Sequence, residues 1–270
     1  MIFSSGSGWG MRLNTPERPI ASGTFFVSAD QWEGPYRAVP DNLLIGAGLN
    51  RTSAYVARTV EYQGQRVVYH HYAGNPPAFG WPKVLQADGD QLYLTVWDGL
   101  NQLRQGEISL TGWKSPANGP KAPGDWHVEG TAIHGACDFG ATILRADVEV
   151  TDVDIGVELT LRAGTRAGLV TGLSAEPNAK GIACLFDAEA GPNLSQIIDS
   201  VRRPVARDRT YRLRLIHRHR YVELYVDDRL VFSTVTDFVP ETGGIECALE
   251  SAQADFVIRQ AHQLEPLRTE

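Results

Sequence analysis

Apolar and polar residues alternate with a period of two along most of this 270-residue chain, and helical periodicity is nearly absent. Successive side chains of a strand point to opposite faces, so such a pattern describes strands with one buried face. The strand-like runs are short, rich in β-branched and aromatic residues, and bounded by Gly, Pro, Asn and Asp. In the first part these runs are "TFFVSA", "AYVARTVEY", "RVVYHHYA", "KVLQA" and "LYLTVW", with turns at "QG" in "EYQGQRVV" and at "DGD" in "ADGDQLYL". Residues 98–125 are rich in Gly, Pro, Asn and Lys and mark a boundary. From "WHVEG" a second series begins: "TILRADVEV", "GVELTLRA", "GLVTGLSA", "GIACLFDA", "SQIIDSV", "YRLRLIH", "YVELYVD", "RLVFSTV", "GIECALES" and "ADFVIRQAHQL". Strands spaced in this way suit a two-sheet β-sandwich.

The stretch "YRLRLIHRHRYVELYVDDRLVFSTV", residues 211–235, is dense in basic groups. Its alternation sets Arg212 and Arg214 against Leu213 and Leu215, and Tyr221, Glu223 and Tyr225 against Val222, Leu224 and Val226. The expected arrangement is a three-strand meander with an apolar inner face and a charged, solvated outer face. Asp227 and Asp228 are adjacent, which suits a turn better than a catalytic carboxylate pair. A net charge of −7 also opposes binding to phosphate backbones, so nucleic acid is not an expected partner.

Cys137, Cys184 and Cys247 are far apart, lack the close pairing of zinc sites, and read as small buried hydrophobes. No apolar run approaches the roughly 20 residues of a membrane helix. The N-terminus "MIFSSGSGWGMRLN" has no basic region ahead of an apolar stretch and reads as the interior of a strand, an expectation that sequence upstream is missing. "NRT" at Asn50 and "NLS" at Asn193 are formal glycosylation acceptors, and localisation stays open.

The run from "YRLRLIH" to "TGGIECALESAQADFVIRQAHQLEPL" resembles the C-terminal β-sandwich of the fructan-cleaving glycosidases of glycoside hydrolase family 32. "GTFFVSADQWEGPYRAVPDNLLIG" and "LNRTSAYVARTVEYQGQRVVYHHYAG" are similar to the last blade and a half of that family's five-bladed propeller. The resemblance implies an all-β chain: a partial propeller over residues 1–110, a linker over 111–125 and a lectin-like, two-sheet sandwich over 126–267. It also implies retaining chemistry on fructosides such as sucrose, inulin or levan, with two carboxylates about 5–5.5 Å apart. The family carries its nucleophile in Asn-Asp-Pro, a stabilising aspartate in Arg-Asp-Pro and its acid/base glutamate in a Glu-Cys or Glu-Val-Pro motif. This chain has only a Glu-Cys, at Glu246 and Cys247, within the terminal sandwich strand and not followed by Pro. No catalytic residue is therefore assigned, and the chain is expected to be inactive alone.

By resemblance, "SAYVARTV" matches a family motif that reaches the central pocket, with Tyr55 at its tyrosine, Arg58 in place of a glutamine and Thr59 at its threonine. Asn50 falls near a position that often holds an aspartate. His70 and His71 fall where a tryptophan-containing strand end is expected. Tyr55 also suits blade packing, and one of the two histidines should face the core while the other faces outward. Trp81, in a loop between "AFG" and Pro82, is the tryptophan expected to be exposed and free to stack on a sugar. The candidate substrate-binding residues are thus Asn50, Tyr55, Arg58, His70 and Trp81. No cofactor or metal is implied, since the acidic group Asp147, Asp152 and Asp154 is a chance cluster. Two other readings remain: a non-catalytic carbohydrate-binding sandwich, and a structural module that self-associates through exposed propeller edges.

Overall fold

The computed structural model describes residues 1–5, 23–39, 42–46, 54–72, 78–116, 124–173, 181–188, 191–194, 205–236, 239 and 243–267. They form three antiparallel sheets, and among the described residues the only helix is one short 3-10 turn. The first sheet is β1 (Ile2–Ser5), β2 (Gly23–Phe26) and β3 (Leu43–Gly46), in that order. The second orders β4 (Ala54–Tyr62), β5 (Gln65–Tyr72), β7 (Lys83–Asp88) and β8 (Gln91–Val96), with β6 (Ala78–Phe79) beside β5. "QG" closes the β4–β5 hairpin, with Gln63 and Gly64 at φ values of 50° and 74°, the left-handed pair that matches strand twist.

The helix Asp98–Leu103 leads into β9 (Arg104–Glu107) and then the third sheet: β10 (Asp125–Glu129), β11 (Ala132–Arg145), β12 (Val153–Thr171), β13 (Ile182–Asp187), β14 (Gly191–Leu194), β15 (Thr210–Arg218), β16 (Tyr221–Val226), β17 (Arg229–Val235) and β18 (Ile245–Leu264). Its path runs β10-β11-β18-β12-β15-β16-β17, with β13 added to β12, β14 to β13, and β9 to β18. β12 and β18 pair along nearly their whole lengths. The first half of β12 pairs β15 over Val153–Thr160, and its second half pairs β13 over Arg166–Thr171. One strand thus serves both layers of the sandwich.

What reads in sequence as turns inside "GVELTLRA…GLVTGLSA" and "GIECALES…ADFVIRQAHQL" is in the structure a pair of bulged bends. The β12–β18 register shifts between Leu161 and Ala163. Just beyond, Gly164 has φ +84° and approaches so closely that a Cβ there would lie 1.9 Å from the Ser251 carbonyl oxygen. An extra residue with a left-handed glycine bends a strand without ending it. β11 was legible only in its second half; "AIHGACDF" extends it, with a register shift between Cys137 and Ala141. The run "SQIIDSV" lies outside the described residues. β9 pairs His262, Gln263 and Leu264 of β18 and so tethers the segment before the linker to the sandwich sheet.

The sandwich core gathers the inward positions of these strands, among them Leu159, Leu169, Leu213, Leu215, Val222, Leu224, Cys247 and Phe256. Each such side chain, fully buried, contributes about 1.5–3 kcal/mol. Cys137, Cys184 and Cys247 are buried and unpaired, and burial pushes the Cys184 and Cys247 thiols upward.

The meander of β15, β16 and β17 has the expected faces, but its outer face is not solvated throughout. Ile216, Tyr225 and Leu230 belong to a second core with Phe26, Ile45, Val68, Tyr72 and Leu94 of the first two sheets. Glu223 is 3% exposed and Tyr225 1%. The far part of the face stays charged and open, where Arg212 meets Asp228 next to Glu158 of β12 and its partner Arg259 of β18. Asp227 and Asp228, with φ values of 49° and 66°, form the β16–β17 turn.

Candidate functional site

Where the second sheet meets the outer face of β16 and β17, a polar cluster is sealed into an apolar junction. Lys83, the first residue of β7, is completely buried. Its Nζ donates to Glu223 Oε1 at 2.5 Å, to the Trp81 carbonyl at 2.7 Å and to His70 Nε2 at 3.2 Å. These three bonds use every proton of an ammonium. Since an ammonium only donates, His70 Nε2 accepts, and the neutral ring carries its proton on Nδ1. Burial and the Lys83 charge together hold the His70 pKa well below the ordinary histidine value. Burial lowers the Lys83 pKa, and Glu223 works against that shift.

Glu223 is satisfied on both oxygens. Oε1 also accepts from Ser233 Oγ at 2.8 Å, and Oε2 accepts from the Tyr225 hydroxyl at 2.6 Å. Ser233 is in turn bonded to the Tyr72 hydroxyl. Burial and the Glu223 charge raise both tyrosines well above their usual value. Gly80 closes over the cluster: its amide donates to the His70 carbonyl at 2.8 Å, and a Cβ there would fall 2.2 Å from the imidazole ring.

Beside the cluster opens a cleft of about 370 Å³, lined by Trp81, Trp97, Leu100, Leu103, Arg218 and Glu223 among others. The 3-10 helix supplies its apolar wall and the end of β15 its cation. The Arg218 guanidinium lies 5.1 Å from the centre of the Trp81 ring, a cation–π distance. Its Nε and Nη2 donate to the carbonyls of Glu265 and Pro266. His219, with φ 56°, turns the chain there, and its amide donates to the Asp152 carboxylate. Burial lowers the Arg218 pKa from its ordinary value, with Asp152 and Glu265 opposing through space.

The sequence candidates are dispersed. Asn50 lies outside the described residues. Tyr55 sits in β4 opposite His71, its side chain also outside the described set. Arg58 and Thr59 are exposed, and among the described residues Arg58 Nη1 donates to the neighbouring Ala57 carbonyl at 3.4 Å. His70 is buried and His71 half-buried, the inward and outward pair foreseen. Trp81 is not free: it is half-buried beneath Arg218, because its loop folds back onto β15. Among the described tryptophans the fully presented one is Trp32, 82% exposed. The structure therefore brings His70 and Trp81 together, through Lys83, and leaves Arg58 apart.

Sequence reasoning missed Lys83, Arg218, Ser233 and the junction role of Glu223. The available signal was a charged residue at the end or centre of an otherwise apolar strand, in "KVLQA" and "YVELYV". The acidic residues of the chance cluster are each engaged: Asp154 binds Arg104 and Arg214, Asp147 binds Lys114, and Asp152 accepts from the His219 amide. Among the described residues no group of three His, Cys, Asp or Glu is arranged to hold a metal ion. Glu246 is sealed in the sandwich against Arg145 at 2.7 Å, where no substrate could reach it.

No family model matches the chain, and no curated protein does. Solved structures do. A Bombyx mori GH32 β-fructofuranosidase in complex with sucrose superposes over 98% of this chain and 52% of its own, with 13% identity and a TM-score of 0.57. A sucrose-6-phosphate hydrolase from Lactobacillus gasseri covers 90% and 48%, with 9% identity and a TM-score of 0.53. A glycoside hydrolase family 32 protein from Bifidobacterium adolescentis covers 91% and 37%, with 13% identity and a TM-score of 0.50. The fold is that of GH32 proteins, and the chain spans about half or less of the length of each. No helix among the described residues is long and apolar enough to cross a membrane.

Proposed function

We propose that this chain is the C-terminal portion of a family 32-like glycoside hydrolase acting on fructosides such as sucrose, inulin or levan. In this reading residues 1–110 supply the end of a propeller, 111–125 a linker and 126–267 the sandwich that braces it. The observation that carries the reading is the fold agreement over 98% of the chain with the sucrose-bound enzyme. The chain's part is positional. Its Lys83–Glu223 junction fixes the sandwich against the second sheet, while the carboxylates for retaining hydrolysis must come from elsewhere. Glu246, the sole Glu-Cys glutamate, is paired and inaccessible. The pure chain should release no fructose from sucrose, inulin or levan above buffer, and measurable release would overturn the proposal.

A second reading, carbohydrate binding without catalysis, is favoured by Trp32. Its loop is clamped by a two-pronged Arg37–Asp30 pair at 2.9 Å, which holds the indole out into solvent. Exposed, pre-positioned aromatic faces suit sugar stacking. Calorimetric titration with fructo-oligosaccharides should then give heats that Trp32→Ala removes; flat heats at millimolar ligand would reject this reading.

A further inference from the structure

We propose that the cleft at the junction binds a small organic anion with an apolar body, with Arg218 as its counter-charge. The inference rests on the cleft itself and holds whether or not the chain takes part in fructoside hydrolysis. One wall is apolar, built by Val96, Trp97, Leu100 and Leu103. Water against that wall is released by an apolar ligand and retained by a polyol. Among the described residues that line the cleft the carboxylate is Glu223, yet Lys83, Ser233 and Tyr225 already engage it and it is 3% exposed. Its charge is therefore compensated, and it does not repel an anion.

Arg218 stands differently. Among the described residues no carboxylate closes on it as an ion pair; its bonds go to the carbonyls of Glu265 and Pro266, and Asp152 and Glu265 act on it only through space. Carbonyl oxygens hold a guanidinium in place without cancelling its charge. Stacking on Trp81 fixes its plane at the cleft wall. The cation, 8% exposed at the cleft wall, and the apolar wall are thus side by side, and a ligand carrying a carboxylate or phosphate on a hydrophobic frame satisfies both. A neutral sugar satisfies neither. A volume of about 370 Å³ suits one ring with a short chain rather than a polymer.

The test is calorimetry on the full chain with 4-phenylbutyrate and its neutral isostere, 4-phenylbutan-1-ol. The carboxylate should bind at least about tenfold more tightly than the alcohol, and the preference should shrink as salt is raised. In Arg218→Gln, with circular dichroism as a check on folding, the carboxylate should fall to the level of the alcohol. The wild-type comparison needs no variant, so the proposal stays testable if that substitution unfolds the hairpin. Equal binding of the two probes, no binding of either at millimolar concentration, or a preference that survives Arg218→Gln would each overturn it.

Discussion

Removing the Lys83 side chain would strand two buried groups at once: Glu223 would lose its counter-charge and His70 Nε2 its donor among the described residues. Deleting one partner of a buried ion pair costs about 3–5 kcal/mol, whereas replacing both partners costs far less. Lys83→Met should therefore lower the unfolding free energy in urea by about that amount, and the Lys83→Met, Glu223→Gln double variant should recover part of it. A second pair of residues sets the acid response. Burial raises Glu246 from 4.5 to about 7 despite Arg145, so between these values the native chain holds a proton that the unfolded chain has lost. Stability falls as pH rises through that window, by about 3 kcal/mol. Burial lowers His217, which is bonded to Thr171, from 6.5 to about 4. There the unfolded chain holds the extra proton, and stability falls as pH drops, by about the same amount. Between pH 4.5 and 6.5 the two slopes oppose each other. His70, held below its ordinary value by burial and Lys83, adds a slope of the same sign as His217. Relative to wild type, urea midpoints should therefore rise more steeply with pH across that range in Glu246→Gln and less steeply in His217→Gln, and the absence of these opposite changes would refute the assignment.

At the scale of single elements, the hairpins and bends are set by backbone conformations that few residues accept. Asp228→Gly should leave stability within about 0.5 kcal/mol, and Asp228→Val should cost about 1–2 kcal/mol, because a β-branched side chain resists a left-handed turn. Gly164→Ala should cost more, since the new Cβ would strike the backbone of Ser251 and Ala252 rather than a movable side chain; thermal unfolding would rank the three. The same elements explain what the sequence could reveal. Alternation in "YRLRLI" and "YVELYV" assigns faces directly, and Asp-Asp announces its turn. A bulge around Gly164 looks in sequence like any glycine turn, because the difference is a register shift against a strand some ninety residues away. For the same reason Glu223 reads as solvated: what covers it, Lys83 on β7, lies far off along the chain. Trp81 looked exposed because loop composition says nothing about an arginine arriving from β15.

Across the whole molecule, the order β4-β5-β7-β8 leaves β4 as an edge strand of its sheet, and Val60 and Tyr62 on it are about half exposed. Unpaired edges with apolar side chains invite pairing with another chain. Sedimentation should therefore show concentration-dependent association, and a clean monomer at high concentration would count against this role for β4. β18 has a different consequence. It is the common neighbour of β9, β11 and β12, all of which precede it in the chain. During synthesis those three must wait on the ribosome's timetable, each with a flank open, until the strand that joins them emerges. Final closure of the sandwich is therefore a late event built on distant contacts, and the nascent chain is most in need of chaperone shelter just before it.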